Sequence, residues 1–190
     1  MLKKILVVLV LLLLGLTVVG FVAPSMLTVE RSITIAAPPA AVHQVLADLK
    51  TWPEWSAWTQ QRDPSATWEF SGADSGVGAV WSWKGDPKGL GVGRLEITAS
   101  DPQDGIAYDL AFDEGAMQAP GALRLLSSGG GTHVTWTSQF SMGPKPIGGL
   151  MKLFLGGMIG NSVGADFDAG LAGLKQRLET GAPVEPTREG

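Results

Sequence analysis

The chain has 190 residues, no cysteine, two histidines and a formal net charge of −4 at pH 7. The lack of cysteine excludes disulfide bonds and thiolate metal sites. Because the chain has only two histidines, a zinc site formed by protein side chains alone is not expected either. Apart from Lys3 and Lys4 there is no basic run. Because phosphate contacts need clustered lysine and arginine, we expect no nucleic acid as a partner. We also expect no cofactor.

The segment 5–23 is apolar throughout and carries no charge. As a helix rising about 1.5 Å per residue it would be roughly 29 Å long, close to the ~30 Å hydrocarbon core of a bilayer. A cleaved signal peptide is the alternative, since Lys3 and Lys4 also suit its basic start, but its apolar region usually has only about 7–15 residues. We predict an uncleaved membrane anchor over 1–26, with the N-terminus in the cytoplasm and the domain on the extracytoplasmic side of the cell membrane.

Apolar and polar residues then alternate over 27–36, which predicts a first strand. The prolines at 38 and 39 stop it, and a helix is predicted over 39–49, followed by a short helix that begins at Pro53. Clusters of turn residues delimit six further strands. These strands are predicted over 67–71, 78–84, 91–100, 105–113, 117–127 and 133–142. The polar residues 181–190 are predicted to form a disordered tail.

The longest predicted helix covers 146–178. Phe167, Leu171, Leu174 and Leu178 recur at helical spacing, which predicts a face that packs on the sheet. The first half of this helix is apolar nearly all round, and each of its glycines costs up to about 1 kcal/mol relative to alanine. These glycines are Gly148, Gly149, Gly156, Gly157 and Gly160. Such a cost indicates close approach of a neighbour or a bend, and we predict that 150–159 roofs an apolar cavity.

This order of elements predicts an α+β domain over 27–180, in which an antiparallel meander packs its apolar face on one long helix. The order resembles the START-like, or SRPBCC, superfamily, most closely its polyketide cyclase/dehydrase and lipid-transport branch. The resemblance covers about 28–178. It rests on VERSI (29–33), APP (37–39), Val42, WPEWSAW (52–58), SGVGA (75–79), WSW (81–83) and GGTHVTW (130–136).

The resemblance implies a helix-grip fold, in which a curved antiparallel sheet of about seven strands wraps around the C-terminal helix. It also implies a deep cavity between sheet and helix that holds an apolar ligand. It implies no particular catalytic residue, because members share a shape more than a reaction.

Strand alternation predicts which side chains face that cavity. Tyr108 is the main polar group on the inward side. Packing in the core is the competing interpretation for every aromatic residue and methionine in this set, because large apolar side chains usually fill the interior. The predicted cavity lining is Trp55, Trp58, Trp81, Trp83, Tyr108, Phe112, Trp136, Met151, Phe154 and Met158. No catalytic residue and no metal ligand is predicted, because no triad, carboxylate pair or ligand spacing is evident.

We therefore predict a membrane-anchored, non-catalytic domain that binds a small hydrophobic or lipid-like molecule. The alternative is an enzyme of the polyketide cyclase/dehydrase type acting on an apolar substrate in the same cavity. That alternative needs ionisable groups inside, for which Tyr108 is the candidate, joined by Arg124 or Asp48 if the alternation is shifted by one residue. A third possibility is binding of another protein through an exposed apolar patch. The oligomeric state is left open.

Overall fold

The computed structural model describes residues 2–115 and 117–181. The predicted tail at 182–190 therefore lies outside the described residues. Short 3₁₀ turns occur at Leu49–Thr51 and Asp113–Gly115. The helices are α1 (Leu2–Val22), α2 (Pro39–Ala47), α3 (Trp52–Trp55) and α4 (Ile147–Thr180). The strands are β1 (Met26–Ile35), β2 (Thr67–Gly72), β3 (Ala79–Lys84), β4 (Val92–Asp101), β5 (Gly105–Phe112), β6 (Met117–Gln118), β7 (Gly121–Ser128) and β8 (Gly131–Ser141).

The strands form one antiparallel sheet in the order β1-β8-β7-β5-β4-β3-β2, with β6 paired to β5. Consecutive strands from β2 to β5 are neighbours, so the predicted meander is confirmed. A shift of register between Ile97 and Ala99 interrupts the β4–β5 pairing, and such bulges bend a strand. The curved sheet and the long C-terminal helix confirm the predicted helix-grip fold.

One predicted strand is wrong in detail, because 117–127 forms two strands. Pro120 lies between β6 and β7 and has no N–H to give to a sheet ladder. The neighbouring backbone groups still find partners, since Ala119 N donates to the carbonyl of Leu110 at 2.7 Å and Gln139 N to that of Pro120 at 3.0 Å. The sheet therefore has eight strands, of which β6 is a two-residue addition at the edge of β5.

Helix α4 runs beside β1 in the same direction. Its start approaches Ser25, and near its end Glu179 accepts a hydrogen bond of 2.7 Å from the backbone N–H of Ala36. The packing face predicted for its second half is confirmed, because Phe167, Leu171 and Leu174 are buried. The second half of α4 thus covers the inner face of the sheet.

The glycines of α4 allow other parts of the protein to come close. A Cβ atom on Gly149 would overlap the carbonyl oxygen of Gly20 in α1, and one on Gly173 would overlap that of Trp55. A Cβ on Gly164 would meet the guanidinium of Arg31. The close approach that the glycines indicated is therefore to backbone and side chains of this chain, but it does not occur at every glycine, because a Cβ atom on Gly157 would have no neighbour within 4 Å.

Among the described residues, α1 is the one helix that is long and apolar enough to cross a membrane. Hardly any of its apolar surface is covered by the rest of the protein. Its last turn is held against the start of α4 through Gly20, and Lys145 donates a hydrogen bond of 2.8 Å to the carbonyl of Phe21. An exposed helix of this length and composition near the N-terminus has the features of a membrane anchor and also those of a signal sequence.

Candidate functional site

A cavity of about 190 Å³ lies between the inner face of the sheet and the middle of α4. Alternate residues of β5 and β8 point into it because side chains of a strand alternate between its two faces. Val163, Asp166 and Phe167 close it from α4, at the spacing of one helix face. The other lining residues are Trp58, Arg62, Gly89, Leu90, Leu110, Phe112, Met117, Ser138 and Phe140.

The cavity has one ion pair at its rim and one buried hydroxyl in its wall. Arg62 Nη1 and Asp166 Oδ1 are 2.7 Å apart, and both side chains are partly exposed to solvent. Ser138 is buried, and its hydroxyl contacts the carbonyl oxygens of Ala119 and Pro120 at 3.2 and 3.0 Å. Since exposed ion pairs contribute only about 0–1 kcal/mol, a ligand group can compete for Arg62 at small cost.

The loop between β3 and β4 forms one wall and is held by the carboxylate of Asp63. One oxygen of this buried group accepts hydrogen bonds from the backbone N–H groups of Asp86 at 2.7 Å and Leu90 at 3.2 Å. The other oxygen accepts from the hydroxyl of Ser65 at 2.6 Å. Hydrogen bonding, most of all from Ser65, lowers the pKa of Asp63 below its ordinary value. The ionised carboxylate therefore fixes the position of Leu90 in the cavity wall.

An aromatic cluster lies beneath the cavity. The ring of Trp136 stacks on that of Phe167, and Trp136 Nε1 donates a hydrogen bond of 2.8 Å to the hydroxyl of Tyr108. Trp52 and Trp55 also pack on Trp136, with ring centroids 5.9 Å away in each case. Burial raises the pKa of Tyr108 to about 12, so its hydroxyl stays protonated even at about pH 10, where an ordinary tyrosine is half ionised.

The structure brings some of the predicted lining residues to the cavity and leaves others in the core. Trp58 and Phe112 line the cavity. Four of the others are almost fully buried in the aromatic cluster: Trp55, Trp81, Tyr108 and Trp136. Trp83 is buried as well, and its Nε1 donates to the carbonyl of Leu90 at 3.1 Å. Core packing thus accounts for the positions of these five buried residues. Contact of a ligand with any of them, or with Trp58 and Phe112, stays a prediction.

The remaining three predicted residues lie elsewhere. The side chains of Met151, Phe154 and Met158 are exposed and are not among those that line the cavity. This part of α4 turns its glycine face toward α1 and β1, through Gly149 and Gly156, so the bulky side chains point away from the sheet. The expectation that 150–159 roofs the cavity is corrected accordingly, because the roof is formed by 163–167.

Several lining residues were not predicted from the sequence. Ser138 and Phe140 continue the alternation of Trp136 along β8, so the period of two already contained that information. Val163 and Asp166 share a helix face with Phe167 and follow from helical periodicity in the same way. Arg62 lies in an irregular segment between α3 and β2, where no periodicity indicates direction.

A larger depression, of about 770 Å³, lies on the outer face of β2–β5. Its walls include acidic and basic side chains, among them Glu69, Lys84, Arg94 and Glu114. It is open to solvent and faces away from α4. The smaller cavity is the better candidate for an apolar ligand, because it is enclosed by apolar side chains from both the sheet and the helix.

Comparison with known proteins identifies the family. A sequence model described as polyketide cyclase / dehydrase and lipid transport matches residues 26–179. The chain belongs to this family. The matched region includes every element from β1 to α4 and leaves out α1. No curated protein matches the sequence of this family member significantly.

Solved structures share its fold at low sequence identity. Protein CV1439 from Chromobacterium violaceum is 15% identical with a TM-score of 0.57, over 80% of this chain and 98% of that one. DynU16, from the dynemicin biosynthetic locus, is 17% identical with a TM-score of 0.56, over 82% of this chain and 48% of its own. The di-domain ARO/CYC StfQ, from the steffimycin biosynthetic pathway, is 12% identical with a TM-score of 0.59, over 81% of this chain and 51% of its own. At these identities the likeness shows the fold alone.

Proposed function

We propose that this family member is a membrane-anchored domain that binds a small hydrophobic or lipid-like molecule between the sheet and α4, without catalysing a reaction. The observation that carries the proposal is the cavity itself, which is enclosed by apolar side chains and has its one ion pair at the rim. A pocket of this kind binds by burial of apolar surface and orients its ligand with few polar contacts.

The volume of the cavity limits what it can hold. Pockets for drug-sized ligands have about 300–1,000 Å³, and an engineered apolar cavity of about 150 Å³ takes up benzene. The cavity of about 190 Å³ therefore suits a single ring or the end of a longer chain. A polar head on such a molecule would lie at the rim, next to Arg62 and Asp166.

The polar groups near the cavity are already engaged in hydrogen bonds or ion pairs, which supports binding without catalysis. The hydroxyl of Tyr108 accepts a hydrogen bond from Trp136, and its pKa of about 12 keeps it from acting as a base near neutral pH. Among the described lining residues, Ser138 contacts two carbonyls and Arg62 is paired with Asp166.

Organic-solvent extraction of the native protein tests ligand binding. Three forms are purified from source membranes and extracted: the wild type, a Val163→Trp variant in which the indole ring fills the cavity, and an Ala172→Trp control. Ala172 lies on the exposed side of the same helix. We expect mass spectrometry to find the same apolar molecule in the wild type and the control and much less of it in Val163→Trp. Equal recovery from all three, or no recovery from the wild type, would contradict the proposal.

The proposed anchor is α1, in an uncleaved form with the domain on the extracytoplasmic side. Its length and its exposed apolar surface support this role, and Lys3 and Lys4 before it favour a cytoplasmic N-terminus. We expect the protein in the membrane fraction to keep its full mass and to resist extraction at alkaline pH. A mass lacking the first residues would identify α1 as a signal sequence instead.

The ion pair at the rim favours one second candidate, an activity of the cyclase/dehydrase type. Arg62 and Asp166 are ionisable groups that a bound ligand could contact, and two proteins of similar fold, DynU16 and StfQ, come from a biosynthetic locus and a biosynthetic pathway. Incubation with a synthetic polyketone chain, followed by mass spectrometry for loss of water, separates the two candidates. Turnover that disappears in Asp166→Asn would replace the non-catalytic proposal.

A further inference from the structure

The first part of α4 carries an exposed apolar surface, which we name the α4 patch. Between Ile147 and Met158 the exposed side chains are apolar, with the partly exposed Lys152 as the one charged residue of this stretch, and beyond it the exposed positions include Asn161, Ser162 and Asp168. The α4 patch consists of Ile147 (63% exposed), Met151 (39%), Leu153 (58%), Phe154 (69%), Leu155 (39%) and Met158 (67%). A contiguous apolar surface of this kind that ends abruptly marks contact with an apolar partner.

The position of the α4 patch is fixed relative to α1. Gly149 lies directly against the backbone of Gly20, and Lys145 donates its hydrogen bond to Phe21. Gly156 and Gly160 lie against Leu27 at the beginning of β1. The α4 patch therefore starts at the end of α1 and extends from there for about 16 Å, at the helical rise of about 1.5 Å per residue.

We propose that the α4 patch lies in the interface of the lipid bilayer that α1 spans. This inference rests on the proposed membrane anchor. Because α1 leaves the bilayer at its last turn, the residues of α4 packed on that turn lie at the level of the headgroups. Helices in such positions bury their apolar face about 5–10 Å deep at the boundary between headgroups and acyl chains.

Two further features agree with a lipid surface as the partner. Val22 and Met26 are exposed apolar residues on either side of the junction between α1 and β1, so apolar surface continues from the spanning helix toward the α4 patch. Lys145, at the same place, supplies a positive charge at the level where lipid phosphates lie. The change to exposed polar residues at Asn161 then marks where α4 leaves the interface.

This placement gives the cavity a defined relation to the membrane. Asp166, at the rim of the cavity, follows Met158 by eight residues, or about 12 Å of helix. A hydrophobic molecule dissolved in the bilayer would thus reach the rim by moving a short way along α4. The α4 patch would serve as the membrane-side approach to the proposed binding site.

The chain has no cysteine, so single cysteines report on chosen positions. Full-length Phe154→Cys, Leu12→Cys and Leu126→Cys are labelled with a polarity-sensitive fluorophore and placed in phosphatidylcholine vesicles containing phosphatidylglycerol and a spin-labelled quencher lipid. Leu12 reports on the anchor. Leu126 is the matched control, since it is 66% exposed, pairs with His133 near the far end of β1 and lies away from α1.

We expect blue-shifted, quenched emission from the labels at Phe154 and Leu12 and water-like, unquenched emission from the label at Leu126. Quenching at Leu12 together with water-like emission at Phe154 overturns the inference and leaves the anchor standing. Water-like emission at both overturns the anchor as well. A blue shift at Phe154 without quenching by lipid, together with disulfide-linked dimers of unlabelled Phe154→Cys, would assign the α4 patch to a second copy of the chain and overturn the inference. Circular dichroism confirms that each variant is folded.

Discussion

The indole ring of Trp136 stacks on the phenyl ring of Phe167, with centroids 4.3 Å apart and ring planes within 4° of parallel. The stack joins the middle of β8 to the middle of α4, and the hydrogen bond from Trp136 to Tyr108 extends the connection to β5. Phe167 also forms part of the cavity wall. One aromatic contact thus belongs both to the core and to the proposed ligand site.

Replacing Phe167 with alanine should therefore affect both stability and binding. Loss of a buried phenylalanine costs about 3–5 kcal/mol, which urea unfolding in detergent would measure. Leu171→Ala is the control, because Leu171 is equally buried but does not line the cavity. Both variants should be destabilised, and Phe167→Ala alone should change the amount of apolar molecule extracted. If both variants changed the amount of extracted molecule equally, the effect would come from lost stability, and Phe167 would have no specific role in the ligand site.

The fold could be predicted from the sequence because alternation and helical periodicity report which side of each element is apolar. Alternation within the predicted strands 91–100 and 105–113 places Leu95 and Ile97, and likewise Ile106 and Tyr108, on the apolar side, and all four are buried. The role of Met151, Phe154 and Met158 could not be obtained in this way. This part of α4 is apolar nearly all round, so only its contacts with α1 and β1 determine which side stays uncovered. Arg62 was missed because it lies outside any periodic element.

Tyr108 is the one tyrosine of the chain, so the absorbance of tyrosinate reports on it alone. Its pKa is raised to about 12 by burial, whereas an unfolded chain ionises near pH 10. We expect no tyrosinate between about pH 10 and 11 while circular dichroism shows a folded protein. Because unfolding releases this proton above the unfolded pKa, stability should fall as the pH rises past about 10. Ionisation near pH 10 in the folded protein would show that Tyr108 is accessible to water.

Tyr108→Phe tests the hydrogen bond itself. The variant keeps the ring but leaves the buried Nε1 of Trp136 without its acceptor, which costs about 1–3 kcal/mol. Urea unfolding at neutral pH would measure this loss. The variant should also lack the part of the alkaline destabilisation that comes from Tyr108. Unchanged stability would mean that another acceptor replaces the hydroxyl.

Asp63 should make the stability depend on pH at the acidic end. Its pKa is lowered in the folded protein by hydrogen bonds, most of all the one from the hydroxyl of Ser65, and also those from the backbone N–H groups of Leu90 and Asp86 in the β3–β4 loop. The stabilisation is therefore present above the unfolded pKa of about 3.9 and is lost as the pH falls through the lower folded value. Asp63→Asn should be less stable than the wild type at pH 7, and the difference should shrink in acid. If the difference in stability between Asp63→Asn and the wild type did not change with pH, the charge of Asp63 would not be its cause, and the altered hydrogen-bond geometry would be.

Alanine substitutions along α4 should change stability in opposite directions, depending on the neighbour of each glycine. Nothing lies within 4 Å of a Cβ atom on Gly157, so Gly157→Ala should stabilise the protein by about 0.5–1 kcal/mol through helix propensity. A Cβ atom on Gly173 would overlap the backbone of Trp55, so Gly173→Ala should destabilise it by about 1–3 kcal/mol. Gly160→Ala is the intermediate case, with ordinary contact to Leu27 at 3.7 Å. Urea unfolding of the three variants in one detergent gives the order. If Gly173→Ala were as stable as Gly157→Ala, the close contact between α3 and α4 would not exist in solution.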